Sequence, residues 1–157
     1  MQIKLIAIGK TDDKAIEGLY NIYTARLKRY VKFEFQIIPD LKNRSKLSQQ
    51  QQKQQEGELI LKQLKPSDFA VLLDENGKQY SSVEFAHYLQ KRMNSGIKNL
   101  VFIIGGPYGF SEEVYQKTQG KLSLSKMTFS HQMVRLFFCE QLYRGFSILN
   151  NEPYHHS

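Results

Sequence analysis

Residues 100–143 have the sequence LVFIIGGPYGFSEEVYQKTQGKLSLSKMTFSHQMVRLFFCEQLY, and this stretch decides the predicted fold. It begins with a short apolar run at 100–104, which is typical of a buried strand. Glycines then interrupt the apolar pattern, and the stretch ends in apolar residues whose spacing predicts a long helix. Two loops lie between the strand and the helix. We interpret them as loops that hold a small molecule through backbone groups.

Apolar runs that alternate with helical patterns precede this stretch. Three such runs lie at 3–8, 33–38 and 69–73. The spacing of apolar residues at 15–30 predicts an amphipathic helix, and Ser81 followed by Glu84 predicts a capping box. Alternating strands and helices are typical of an α/β protein whose largely parallel sheet is flanked by helices. We expect a single domain that covers residues 1–157.

Two polar segments carry further predictions. Asn76-Gly77 follows the third apolar run, and because this dipeptide tolerates positive φ we expect the chain to turn there. Residues 41–58 are rich in glutamine, and we interpret them as a mobile loop that leads into a helix. The segment from Lys42 to Lys65 has six basic and two acidic residues. It is either a contact surface for RNA or a solvated helix face.

The composition narrows the possible partners and compartments. The 22 Lys and Arg residues exceed the 15 Asp and Glu residues and give a net charge of +7, which suits a polyanion such as nucleic acid, although many soluble proteins are moderately basic. Cys139 is the only cysteine, which excludes an internal disulfide and a multi-cysteine metal site. No run approaches the roughly 18 apolar residues that span a bilayer. We therefore predict a cytoplasmic protein that binds neither membrane nor metal.

The ends of the later strands carry the candidate binding groups, because ligands of open α/β sheets bind outside the carboxyl ends of the strands. The distinctive strand ends are 73–75, 105–109 and the segment after Leu122. Glu112 and Glu113 follow the glycines and argue against a bound phosphate. The motifs G-x-G-x-x-G and G-x-x-x-x-G-K-[ST] are both absent, which disfavours a dinucleotide-dependent oxidoreductase and a nucleoside triphosphatase.

The second loop, residues 123–132, mixes hydroxyl, apolar and basic side chains without regular periodicity. The helix that follows is apolar nearly all round, so we expect it to be buried on more than one side and to form a homodimer interface. Arg135 interrupts its apolar surface. Because a buried charge needs a partner, Arg135 faces a ligand or an RNA phosphate, or pairs with Glu140.

The chain resembles a known family in several segments. They are IGGPYGF at 104–110, LSLSKMTFSHQMVRLFFCEQLYR at 122–144, NEPYHHS at 151–157, IKLIAIGK at 3–10, IIPD at 37–40, EGELIL at 56–61 and LLDENGK at 72–78. Together they are similar to the ribosomal RNA large subunit methyltransferase H family, which belongs to the SPOUT class of S-adenosyl-L-methionine-dependent methyltransferases. The resemblance covers essentially the whole chain.

The resemblance implies a fold and a reaction. The fold is a SPOUT-type α/β domain whose C-terminal third forms a trefoil knot around the cofactor, in a homodimer. The reaction is methylation of N3 of a pseudouridine in large-subunit ribosomal RNA on the assembled ribosome. The methyl donor is S-adenosyl-L-methionine.

The resemblance also implies positions for the cofactor contacts. These are Leu73, Gly105, Leu124, Ser125, Lys126, Met127, Thr128 and Phe129. Ser130 departs from the family, in which relatives often have proline, and we expect this serine to cap the last helix.

We predict that the catalytic groups come from the last helix and the tail. Methylation of N3 requires loss of its proton, so an acceptor is useful. We expect Tyr154 and His155 to fill this role and Arg135 to position a phosphate or base. The alternative hypothesis is a non-catalytic, ribosome-associated RNA-binding α/β module, which explains the charge but leaves both loops without a ligand.

Overall fold

A five-stranded parallel sheet forms the centre of the structure, a computed structural model that describes residues 1–156. The strands are β1 (Gln2–Ile8), β2 (Lys32–Ile38), β3 (Asp68–Gln79), β4 (Asn99–Ile104) and β5 (Gly120–Ser123). Their order across the sheet is β2-β1-β4-β3-β5, and every neighbouring pair is parallel. The predicted α/β class with a largely parallel sheet is confirmed.

Helices cover both faces of this sheet. They are α1 (Lys14–Leu27), α2 (Gln49–Lys62), α3 (Ser82–Asn94), α4 (Glu112–Lys117) and α5 (His131–Leu149), with a short 3₁₀ helix at Arg44–Lys46. Side chains of α1, α3 and α5 share one apolar core with the sheet, and those of α2 and α4 share the other. Alternate residues of β1 serve the two cores: Leu5 packs into the first and Ile6 into the second.

The last helix is buried on several sides, as its composition predicts. It packs against α1, α3 and β4, and Phe138 and Leu142 are fully buried. Full burial of such a side chain contributes about 1.5–3 kcal/mol. Phe137 is 37% exposed and lies on the side of α5 that no other element of residues 1–156 fully covers.

The glutamine-rich segment is helical from its start. Ser48 caps α2, because its hydroxyl accepts a hydrogen bond from the Gln51 amide while the Gln51 side chain accepts one from the Ser48 amide. Gln52 and Glu56 are buried on the inner face of this helix. The expected loop is therefore limited to the residues before Ser48, and polar side chains form part of the buried face.

The turn predicted at Asn76-Gly77 is wrong. Strand β3 continues through both residues to Gln79, and neither has positive φ. A Cβ atom at Gly77 would lie 2.6 Å from the backbone nitrogen of Leu122 in β5. Glycine is needed here because two backbones approach closely, at a point where the pairing of β3 with β5 shifts register.

Candidate functional site

A cavity of about 480 Å³ lies at the carboxyl ends of β4 and β5 and beside Leu73 in the middle of β3, which pairs with the last residue of β4. Its volume is within the roughly 300–1,000 Å³ typical of cofactor pockets. Most of the predicted cofactor residues line it, namely Leu73, Gly105, Leu124, Ser125, Met127, Thr128 and Phe129. Lys126 is exposed and is not among the lining residues, so its contact with a cofactor stays a prediction.

The glycine-rich segment, which we call the 105–109 loop, forms one wall of this cavity. The Gly109 amide donates a hydrogen bond to the Gly106 carbonyl oxygen at 3.2 Å, and Gly109 has a φ of +80° that favours glycine. A Cβ atom at Gly105 would lie 3.0 Å from the ring of Phe110. The loop therefore presents backbone to the cavity. Beyond it, Ser111 caps α4 by accepting a hydrogen bond from the Val114 amide.

The 123–130 loop forms the opposite wall and is held by its own hydroxyl groups. The Ser123 hydroxyl donates to the Ser125 carbonyl oxygen at 2.9 Å, and the Ser125 hydroxyl accepts from the Met127 amide at 3.0 Å. Ser130 caps α5 by accepting from the Met133 amide, which confirms the expected cap. The Met127 side chain is 75% exposed and stands at the mouth of the cavity.

The charge of the cavity favours a cationic or neutral ligand. Asp74 and Glu75 line it, and none of the described lining residues is Lys or Arg. The Tyr115 hydroxyl donates to the Asp74 carboxylate, and burial together with this carboxylate raises the pKa of Tyr115. Burial and the nearby Arg135 lower the pKa of His131, which keeps its imidazole uncharged to lower pH.

A second cavity of about 390 Å³ adjoins the first. The two share lining residues Ser123, Leu124 and Phe129. Tyr80, Phe85 and Phe137 line part of the rest, and Glu140 lies on its wall. Phe129 meets Phe137 edge to face at 5.1 Å, so an aromatic surface connects the loop to α5.

The chain reverses after α5 and returns along it. Asn151 has a φ of +55°, and the Glu152 amide donates to the Ser147 carbonyl oxygen. Four side chains then form what we call the C-terminal cluster: Glu140, Arg144, Tyr154 and His155. The tail predicted to be catalytic is thus anchored on α5.

Within the C-terminal cluster, Glu140 accepts hydrogen bonds from Arg144 Nη2 at 2.6 Å and from the Tyr154 hydroxyl at 2.9 Å. Arg144 Nη1 lies 3.1 Å from His155 Nδ1. An arginine only donates, so Nδ1 is the acceptor and the neutral imidazole carries its proton on Nε2. Burial and the neighbouring Tyr23 and Glu140 raise the pKa of Tyr154, so its phenol stays protonated.

The structure places Arg135 apart from the C-terminal cluster. Its side chain is 1% exposed and donates to the Ile8 carbonyl oxygen and the Thr11 hydroxyl, both at 2.9 Å. The alternative pairing of Arg135 with Glu140 does not occur, because Arg144 pairs with Glu140 instead. Sequence reasoning missed Arg144, although its i, i+4 spacing from Glu140 is typical of a helical ion pair.

Two further properties of the described residues concern a membrane-spanning helix and a metal site. Among residues 1–156, none of the helices combines the length and apolar character needed to cross a bilayer. The same residues contain no group of three or more His, Cys, Asp or Glu side chains placed to hold a metal ion.

Residues 1–155 match a family model described as "Predicted SPOUT methyltransferase". The chain belongs to the SPOUT methyltransferase family. It is 67% identical over 156 residues to the ribosomal RNA large subunit methyltransferase H of Christiangramia forsetii and to that of Flavobacterium johnsoniae, covering 99% of each chain. The protein of the same name from Parabacteroides distasonis is 58% identical with the same coverage. These relatives confirm the resemblance and the prediction of a methyltransferase.

A solved structure shares the fold of this SPOUT methyltransferase at low sequence identity. It is described as a probable methylase family protein from Haemophilus influenzae, with 14% identity and a TM-score of 0.54. The alignment covers 99% of this chain and 70% of that chain. The likeness supports the α/β architecture of the SPOUT methyltransferases.

Family membership supports S-adenosyl-L-methionine as the cofactor, and the chemistry of the first cavity fits this molecule. The sulfonium is a cation, and the carboxylates of Asp74 and Glu75 line the cavity without a competing basic residue. Backbone of the 105–109 loop and the apolar Leu73 and Leu124 are suited to an adenosine group.

Proposed function

We propose that this SPOUT methyltransferase, as a single domain over residues 1–157, transfers a methyl group from S-adenosyl-L-methionine to N3 of a pseudouridine in large-subunit ribosomal RNA. The proposed substrate is the assembled ribosome in the cytoplasm. The relatives, which are named as ribosomal RNA large subunit methyltransferases, support ribosomal RNA as the substrate class. Leu73, Gly105 and residues 124–129, including Lys126, are the proposed cofactor contacts.

The observation that carries the proposal is the pair of adjoining cavities. The first is acidic and rich in exposed backbone, which suits the cofactor. Four aromatic side chains line the second, namely Tyr80, Phe85, Phe129 and Phe137, and splayed nucleobases bind by stacking on aromatic side chains. Phe129 lies on the boundary between the two, where a methyl group would pass from one ligand to the other.

When bound, S-adenosyl-L-methionine supplies an already activated methyl group. The protein therefore needs mainly to align the base with the methyl group and to exclude water. We propose that the N3 proton passes to water and that Nε2–H of His155 in the C-terminal cluster donates to the carbonyl oxygen beside N3, which stabilises the negative charge that develops on the base. The predicted acceptor role of His155 or Tyr154 would require release from Arg144 or Glu140.

We propose a homodimer in which the C-terminal cluster of one subunit serves the cofactor cavity of the other. The support is that no described tail residue lines the cofactor cavity of its own chain. Phe137, exposed beside the second cavity, provides apolar surface for the partner. A trefoil knot in the C-terminal third is part of the same proposal, supported by membership of the SPOUT family.

Arg135 has a different proposed role from Tyr154 and His155. Its guanidinium holds the Ile8 carbonyl and Thr11, and thereby fixes the segment after β1 against α5. We propose that Arg135 holds this segment and the neighbouring start of α5 in the positions in which they contact the RNA. Contact between Arg135 itself and a phosphate or base stays a prediction.

A basic surface before α2 is the proposed contact with RNA. Lys42, Arg44 and Lys46 are all exposed. Replacing the three with glutamine is expected to weaken ribosome binding and to reduce the slope of log K against log salt by about 3, because each lost phosphate contact removes about one counterion. The measurement is binding of ribosomes at several salt concentrations. The matched control replaces Lys28, Lys32 and Lys98, which are exposed at the amino end of the sheet, and an equal loss in both variants would contradict the assigned surface.

The proposed function is tested by two linked measurements. Calorimetric titration with S-adenosyl-L-methionine is expected to show binding, whereas the non-catalytic RNA-binding module would give no heat of binding. Mass spectrometry of ribosomal RNA from a strain that lacks the gene is expected to show an unmethylated pseudouridine, which becomes methylated when the strain is complemented. If the protein binds the cofactor but the RNA is the same with and without the gene, the protein methylates a different substrate and the proposed RNA substrate is wrong.

A further inference from the structure

A buried carboxyl group lies directly beneath the 105–109 loop. Glu56 of α2 is 3% exposed. A Cβ atom at Gly106 would lie 2.4 Å from Glu56 Oε1 and 2.6 Å from Oε2. The carboxyl group therefore occupies the space that a side chain at position 106 would need. Since Gly106 lines the cofactor cavity, Glu56 supports that wall from behind, and it is not itself a lining residue.

Helix α2 also fixes the far end of this loop. A Cβ atom at Gly57 would lie 2.6 Å from the Ser111 hydroxyl oxygen and 3.0 Å from a methyl group of Val114. The absence of a side chain at Gly57 lets α2 approach the start of α4 closely. Consecutive residues of α2 thus press on both ends of the 105–111 segment, Glu56 at Gly106 and Gly57 at Ser111.

Glu56 has few groups to stabilise a negative charge. Gln52 Nε2 donates to Oε2 at a long 3.3 Å, and Oε1 has no hydrogen-bond partner among the described residues. The charged side chains near enough to influence it are Asp40 and Arg44, which form an ion pair with each other at 2.9 Å. Burial and Asp40 raise the pKa of Glu56, against the opposing effects of Gln52 and Arg44. A buried carboxylate without a hydrogen-bonded cation is unfavourable, so the uncharged form suits this position.

We propose that Glu56 is a positioning residue of the cofactor site, whose uncharged carboxyl group holds the 105–109 loop in the conformation that binds S-adenosyl-L-methionine. Ionisation of Glu56 places a negative charge against the backbone of Gly106 and loosens the loop. Cofactor affinity then falls as the pH rises. This inference rests on the proposed cofactor site and adds a pH-dependent support to it.

The direction of the pH effect follows from proton linkage. The pKa of the Glu56 carboxyl group is higher in the folded protein than in the unfolded chain. Between these two pKa values, the folded protein keeps the proton and the unfolded chain has released it. Glu56 therefore does not lower the free energy of unfolding below the unfolded-state pKa, and it lowers this free energy increasingly as the pH rises toward the folded-state pKa. If cofactor binding requires the same protonated form, binding weakens above the folded pKa by up to about tenfold per pH unit.

Calorimetric titration with S-adenosyl-L-methionine from about pH 5 to about pH 9 tests the proposal in the full chain. Glu56→Gln preserves the shape of the uncharged group and is expected to remove the loss of affinity at high pH that the wild type shows. Glu58→Gln is the matched control, since Glu58 is exposed on the same helix. Titration of the cofactor's own amino group affects all three proteins equally. Parallel pH profiles for the wild type and Glu56→Gln would overturn the proposal.

A double-mutant cycle tests the contact itself. Gly106→Ala is expected to weaken cofactor binding by about tenfold or more, because the new methyl group collides with the Glu56 carboxyl. Glu56→Ala in the same chain should recover part of that affinity, and simple addition of the two losses would overturn the contact. Circular dichroism verifies that each variant is folded. A wild type that does not bind S-adenosyl-L-methionine at any pH would refute the cofactor site, whereas wild-type binding with an additive cycle refutes only the role of Glu56.

Discussion

Truncation of the chain after Pro153 is expected to lower the rate of methyl transfer by about 10²–10⁴-fold, the range associated with a lost proton-transfer or charge-stabilising group. The truncation removes Tyr154 and His155, which contact Glu140 and Arg144 on α5. The truncated chain keeps the cavity-lining residues Leu73, Gly105 and Met127, so affinity for S-adenosyl-L-methionine should change little. Single-turnover methylation of ribosomes and calorimetric titration measure the two quantities separately.

Single substitutions separate the chemical role of the tail from its anchoring role. His155→Ala should reproduce most of the loss in rate, and Arg144→Lys should give a partial loss, because lysine retains the charge but not the paired donors. His156→Ala is the matched control, since His156 is exposed beside His155. Full activity in the truncated protein would refute the role of the tail.

The proposed cofactor residues were predicted to lie together because each lies at or just after the end of a strand predicted from the sequence. Buried strands appear in the sequence as short apolar runs, and parallel strands bring their carboxyl ends to one edge of the sheet. Leu73, Gly105 and all of the 124–129 segment except Lys126 therefore converge on one cavity. The resemblance to a known family selected individual residues within these segments, which periodicity alone does not do.

The C-terminal cluster was only partly predictable. Arg135 and Arg144 lie nine residues apart on α5, which places them on opposite sides of a helix with 3.6 residues per turn. Only Arg144 faces the returning tail, while Arg135 faces the end of β1. The direction of the tail depends on the left-handed backbone conformation of Asn151, a local property that side-chain periodicity does not report.

The inner face of α2 escaped prediction for a different reason. An apolar stripe reveals the buried face of most helices, but in α2 two of the buried side chains are Gln52 and Glu56. Their burial depends on Gly57, Gly106 and the close approach of α2 to the 105–109 loop, which are tertiary features. A polar residue on such a face looks solvated in the sequence, and its position becomes clear only when the neighbouring glycines are seen in space.

Gly77→Ala is expected to lower the free energy of unfolding by about 2–3 kcal/mol, because its methyl group would collide with backbone atoms of Lys121 and Leu122 that cannot rotate away. The melting temperature should fall by about 2–4 °C per kcal/mol. The strained pairing of β3 with β5 also displaces the start of the 123–130 loop, so cofactor affinity should fall with stability.

Gly18→Ala provides the matched control for Gly77→Ala in the same urea and thermal unfolding measurements. Gly18 lies inside α1 with open space around its Cα, so alanine is expected to stabilise the protein by about 0.5–1 kcal/mol through its higher helix propensity. The two variants are expected to change the free energy of unfolding in opposite directions. This difference distinguishes the effect of the close backbone approach at Gly77 from a general effect of adding a methyl group. If Gly77→Ala were neutral, the strands would have room to separate at this point, and the close contact between β3 and β5 would not be what requires glycine.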